Sequence, residues 1–153
     1  MGDDDIGEST RSVHAGSSPE QLTGAKVEPI FQTATYVQRD FAEHTGYEYS
    51  RTQNPTREAL EAAMAELESP TELAQGIAFG SGMAAISAIT QLLESGDHIL
   101  AASDLYGGTG RLFDDVLSRF GVTTTYSFLN EGDLEELAQE NTKMLWLETP
   151  TNP

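Results

Sequence analysis

From Asn54 onward the chain alternates between helical and strand-like hydrophobic runs, and this alternation constrains the fold more than any single motif. "NPTREALEAAMAELES" sets Leu60, Ala63, Met64 and Leu67 on one helical face. Asn54 is a capping candidate, Pro55 suits the first turn, and the helix is expected to end near Pro70. The apolar run "GIAF" follows, then "GSG", then "MAAISAITQLLES", where Met83, Ile86, Ile89, Leu92 and Leu93 repeat at helical spacing and Gly96 is placed to end the helix. "HILAAS" reads as a buried strand, "RLFDDVLSRF" as a helix closed by Gly121, "VTTTYSFL" as a strand, "GDLEELAQEN" as a helix and "KMLWLET" as a strand. Four strands separated by helices of about ten residues predict an α/β fold with a largely parallel sheet, built from right-handed crossovers and covered by helices.

The chain before Asn54 has a different character. Residues 1–24 are polar and punctuated by glycine and serine, "PIFQTATYV" has no clear period, and "RDFAEHTGYEYSR" contains few aliphatic residues. Such a stretch cannot make its own core, while Phe31, Tyr36, Phe41, Tyr47 and Tyr49 favour docking onto another surface. The expected organisation is an extended arm over 1–53 and an α/β unit over 54–153.

Charge narrows the partners. Twenty-five acidic residues against eight basic ones give a net charge of −17, which would repel nucleic acid. The acids are scattered, so the expectation is a solvated surface suited to a salt-rich cytoplasm, with stability that falls as salt is removed. No apolar run is long enough to span a membrane, the start is acidic where a secretory signal would be basic, and there are no cysteines; a cytoplasmic location is expected.

In parallel sheets, ligands collect beyond the carboxyl ends of the strands. Three stretches are predicted to lie there. In "AFGSGMAAI", the backbone N–H groups of Gly82 and Met83 and the Ser81 hydroxyl could bind phosphate, or the glycines could simply make a tight turn. In "SDLYGGTGRLF", Tyr106 precedes two glycines and is either a stacking platform for a planar ligand or a surface-loop tyrosine. In "LETPTNP", Glu148 ends a strand and Asn152 offers both donor and acceptor groups, in a turn where asparagine is also ordinary.

The motifs "YSRTQNPTR", "GSGMAAI", "GDHIL", "DLYGGTGRLF" and "ETPTNP", from "VHAG" onward, closely resemble the amino-terminal part of the pyridoxal-phosphate enzymes of cysteine and methionine metabolism. These include cystathionine gamma-synthase, cystathionine gamma-lyase, methionine gamma-lyase and O-acetylhomoserine sulfhydrylase. The resemblance implies an arm followed by the first part of the large domain of a type I, aspartate aminotransferase-like transferase. It implies pyridoxal 5'-phosphate as cofactor and chemistry at the gamma carbon of homocysteine- or homoserine-type amino acids. By the same resemblance, Tyr49 and Arg51 reach into a neighbouring subunit to bind the cofactor phosphate, while the backbone of Gly82 and Met83 holds it within the subunit. Tyr106 would stack on the pyridine ring and is a candidate for proton transfer; Asn152 would bind the ring's phenolic oxygen, with Glu148 a weaker candidate nearby.

The resemblance also implies that the lysine bonding to the cofactor, the aspartate at the pyridine nitrogen and the arginine for the substrate carboxylate lie after "ETPTNP". Neither Lys26 nor Lys143 sits in a matching motif. The expectation is therefore an amino-terminal portion of an enzyme, inactive alone, in an active-site-sharing dimer or a tetramer of such dimers. The alternative from another class is a non-catalytic remnant or interaction module. Within the family, "YGGTGRLF" and "ETPTNP" look most like the cystathionine synthase and lyase branch.

Overall fold

The computed structural model describes residues 7–41, 43–69, 74–129 and 133–151. They fall into two compact units, Met1–Ala78 and Phe79–Pro153.

The described residues of the first unit form two helices. The first, α1 (Glu8–His14), was not anticipated from the sequence and contacts α2 (Pro55–Glu68), where the Glu66 carboxylate accepts the Gly16 N–H at 3.1 Å. Helix α2 begins as the sequence predicts, with the Asn54 side chain accepting the Thr56 N–H and Pro55 opening the first turn. It ends at Glu68; Pro70 lies outside the described residues. Between the helices, strand-like pairing among the described residues is limited to the single bridges Thr35–Tyr49 and Asp40–Glu43. None of the described residues of this unit is buried.

The second unit holds a parallel sheet in the order β2-β1-β3, formed by β1 (His98–Ala102), β2 (Thr123–Ser127) and β3 (Thr142–Trp146). All five residues of β1 are buried, which explains why its sequence is a continuous apolar run rather than an alternation. Strand β3 does alternate, so Lys143 is exposed rather than drawn into a buried strand. His98 pairs with Thr142 and Ile99 with Met144, leaving Lys143 as the extra residue of a bulge. The core comprises Ile99, Ala101, Phe113, Leu117 and Val122, with the Trp146 ring edge-on to Phe113 at 5.5 Å.

Three sequence expectations are corrected. "GIAF" is not a fourth strand: the described sheet has three, and the Ala78 N–H donates to the Glu61 carboxylate at 2.8 Å rather than to a neighbouring strand. Helix α3 (Gly82–Thr90) stops six residues before Gly96, which instead lies in the turn entering β1. The helix predicted from Arg111 starts earlier, as α4 (Gly107–Arg111), then widens to a π-turn over Leu112–Val116 and tightens to a 3-10 turn over Leu117–Phe120. Gly121 does close this run, at φ +83°, where an added Cβ would lie 2.4 Å from the Ser95 hydroxyl. The short α5 (Asp133–Leu137) leads towards β3.

Candidate functional site

The carboxyl ends of β1 and β3 assemble the site within the second unit. Ser81 is the N-cap of α3, and its Oγ accepts the Ala84 N–H at 3.1 Å. That bond turns an acceptor site of Ser81 back into the helix. The Gly82 and Met83 N–H groups, two of the unsatisfied donors of a helix amino terminus, have no hydrogen-bond partner among the described residues. They are the free donors of this turn, and the positive end of the helix dipole favours an anion there.

Tyr106 follows β1 as the residue before α4, and its carbonyl accepts the Thr109 and Gly110 N–H groups at 2.9 and 3.2 Å. Its ring lies over Gly108: a Cβ there would come within 2.4 Å of Tyr106 Cε1 and 2.9 Å of Met83 Sδ. The missing side chain therefore gives the ring its resting place and brings it beside Met83. The ring is 41% exposed, so it also presents surface to a ligand.

Glu148, just beyond β3, accepts three hydrogen bonds: Tyr106 N–H to Oε2 at 2.7 Å, Thr109 hydroxyl to Oε1 at 2.8 Å and Trp146 indole N–H to Oε1 at 3.1 Å. Desolvation alone would raise the Glu148 pKa, but the three donors together hold it below the ordinary carboxylate value. An ionised, triply held carboxylate braces the residues that donate to it. Thr109 and Trp146 were not identified from the sequence, because a threonine inside a helix gives no sign of a carboxylate partner 39 residues away.

Among the other sequence candidates, Asn152 lies outside the described residues. Tyr49 and Arg51 belong to the first unit, where the Arg51 guanidinium lies 4.8 Å from the centre of the Tyr49 ring. Arg51 is exposed, and among the described residues its side chain has no ion pair or hydrogen bond, so its N–H edge is open while its face rests on the phenol. The turn carrying it is held from α2. Arg57 Nη1 donates to the Ser50 and Arg51 carbonyls at 3.3 and 3.4 Å, and Nη2 to the Thr52 carbonyl at 2.5 Å. Nearby, the Tyr47 hydroxyl donates to Glu58 at 2.7 Å, and that bond, with desolvation, raises the phenol pKa to about 12.

The donor set suits an anionic, planar ligand: two open backbone N–H groups stand near an exposed aromatic face. It contains no lysine. Lys143 sits at the amino end of β3, five residues before Glu148 and so about 15 Å away along an extended chain. Lys26 belongs to the first unit. Among the described residues no group of acidic or histidine side chains could hold a metal, and no helix is long and apolar enough to cross a membrane.

A sequence model for Cys/Met metabolism PLP-dependent enzymes matches residues 9–153. A probable cystathionine gamma-synthase of Herpetosiphon aurantiacus is 46% identical over 152 residues, covering 97% of this chain and 46% of that protein. A cystathionine beta-lyase of Coxiella burnetii is 47% identical, covering 94% of this chain and 37% of the relative. The crystal structure of cystathionine gamma-lyase from Lactobacillus plantarum complexed with L-serine superposes with a TM-score of 0.87 at 43% identity, covering 97% of this chain and 38% of that one. The chain thus spans less than half the length of these relatives.

Proposed function

The chain belongs to the Cys/Met metabolism PLP-dependent enzymes, and from that premise we propose that it provides the cofactor grip of an enzyme acting on cystathionine- or homoserine-type amino acids at the gamma carbon. The observation that carries the proposal is the placement of the open Gly82 and Met83 N–H groups close to an exposed Tyr106 ring seated on Gly108. Pyridoxal 5'-phosphate, when bound, supplies an electron sink that stabilises negative charge on substrate carbons and so allows a gamma substituent to leave.

The residues have distinct tasks in this reading. Gly82 and Met83 donate to the phosphate, and Tyr106 stacks on the pyridine ring and offers its hydroxyl to hold or move a proton. Asn152 is proposed for the ring's phenolic oxygen. Tyr49 and Arg51 bind phosphate in a neighbouring subunit: a phenol hydroxyl and a guanidinium edge are strong phosphate donors, and a unit with no buried residue among those described suits work on another surface. The assembly is then a dimer that shares its sites, or a tetramer of such dimers, in a salt-rich cytoplasm. O-acetylhomoserine sulfhydrylase and methionine gamma-lyase chemistry are the alternatives. The 153-residue chain alone is proposed to be inactive and to form no covalent bond to the cofactor, because neither Lys26 nor Lys143 sits in a motif that matches the family's.

The grip is tested by Arg51→Ala in the enzyme that carries this chain. Loss of a charge-assisted phosphate contact of about 1.5–3 kcal/mol should weaken cofactor retention roughly ten- to a hundred-fold, while the unfolding midpoint without cofactor barely moves. Unchanged retention in equilibrium dialysis would overturn the role of Arg51. Assays with cystathionine, O-acetylhomoserine and methionine decide the reaction: cleavage of cystathionine selects the gamma-lyase, O-acetylhomoserine with cysteine the gamma-synthase, O-acetylhomoserine with sulfide the sulfhydrylase, and methionine the methionine gamma-lyase.

A further inference from the structure

We propose that Glu148 is a positioning residue that sets the stacking face of Tyr106, and so the affinity of the site for a planar cofactor, without touching that cofactor. The inference rests on the reading of Tyr106 as the stacking residue.

The geometry is that of a brace. Tyr106 is the residue before α4, and its backbone is held on both sides. Its carbonyl closes the first turn of α4, and its N–H is taken by Glu148 Oε2 at 2.7 Å. The other carboxylate oxygen is fixed by two donors whose own positions are set by packing. Thr109 has no exposed surface, and the Trp146 ring stands edge-on against the buried Phe113. The carboxylate therefore transmits the position of the β3 end and of the core to the residue carrying the exposed ring. With the N–H fixed and Gly108 beneath the ring, the Tyr106 side chain has a defined seat beside Met83.

The chemistry of the donor set explains why a glutamate is required. All three partners are donors, so the group between them must accept on both oxygens. Glutamine has the same shape but replaces one acceptor with an NH2 group, which would oppose either the Tyr106 N–H or the Thr109 and Trp146 donors. Aspartate keeps the charge but is one methylene short of spanning them.

A double-mutant cycle in the holoenzyme separates positioning from general destabilisation. Pyridoxal 5'-phosphate affinity and the visible circular dichroism of the bound cofactor are measured for wild type, Glu148→Gln, Tyr106→Ala and the double variant. Glu148→Gln should weaken affinity about ten-fold and alter the dichroic band, and the double variant should bind no more weakly than Tyr106→Ala alone. Full additivity of the two losses, or an unchanged affinity and band in Glu148→Gln, would overturn the positioning role. If Tyr106→Ala alone leaves affinity unchanged, the stacking reading itself fails, a result distinct from additivity. Trp146→Phe removes a donor while leaving Tyr106 held, and should change affinity less than two-fold. Should the glutamine variant not fold, the same cycle with Glu148→Asp applies, with the same outcomes.

Discussion

The two units are stabilised by different means. Every buried hydrophobic side chain among the described residues lies in the second unit, where β1 is covered along its whole length. The first unit is held instead by polar links: Asn54 to Phe31 and Ser50, Thr56 to Pro29 and Phe31, and Arg57 to three carbonyls. Meanwhile Phe41 is 96% and Val37 90% exposed. Burying an apolar side chain is worth about 1.5–3 kcal/mol, whereas a typical internal hydrogen bond contributes a net of about 0.5–1.5 kcal/mol. Hydrogen bonds define the shape of the first unit, but its apolar surface is stabilising only when another surface covers it.

Two phenylalanines should show the difference between the units most directly. Phe113 is 1% exposed in the core, so Phe113→Ala should cost about 3–5 kcal/mol and sharply lower the denaturation midpoint. Phe41→Ala should change that midpoint by less than about 0.5 kcal/mol in dilute chain, and any effect should grow with protein concentration as copies associate. Equal losses from both substitutions at low concentration would show that the first unit has a core of its own.

A smaller effect is expected from the polar links of the first unit. Arg57 spans the Ser50, Arg51 and Thr52 carbonyls because its guanidinium is a planar fork; a lysine ammonium is a point charge without that reach. Arg57→Lys should release the turn by about 1 kcal/mol, which corresponds to roughly five-fold faster tryptic cleavage after Arg51. The fluorescence of Trp146, the single tryptophan, should stay constant because it reports the second unit. A cleavage rate equal to that of wild type would show that α2 does not hold the turn.

Legibility in the sequence follows the same division. Helix α2 with its Asn54 cap, the buried β1, and β2 and β3 were predicted because period and capping are local properties. "GIAF" was overcalled because a strand is defined by its ladder, which four apolar residues do not encode. Helix α1 was missed in a polar stretch whose helicity gives no hydrophobic period, and its contacts are with α2. At the site, the glycine turn and Tyr106 were visible as motifs. The Glu148 brace was not, because its three donors come from two elements and only geometry brings them to one carboxylate.

The smallest expected effect concerns pH, and it too should originate in the second unit. His98 is 1% exposed, with Nδ1 2.7 Å from the Thr142 hydroxyl and Nε2 2.9 Å from the Thr125 hydroxyl. The Gln139 side-chain amide nitrogen lies 3.3 Å from Nε2. Desolvation by burial lowers the His98 pKa below its ordinary value. Between the folded value and about 6.5 the unfolded chain binds more protons, so stability falls as pH drops through that window and is fully retained above it. Urea midpoints at pH 8, 7, 6 and 5 should therefore decline more steeply for wild type than for His98→Gln. An identical slope in His98→Gln would remove His98 as its source.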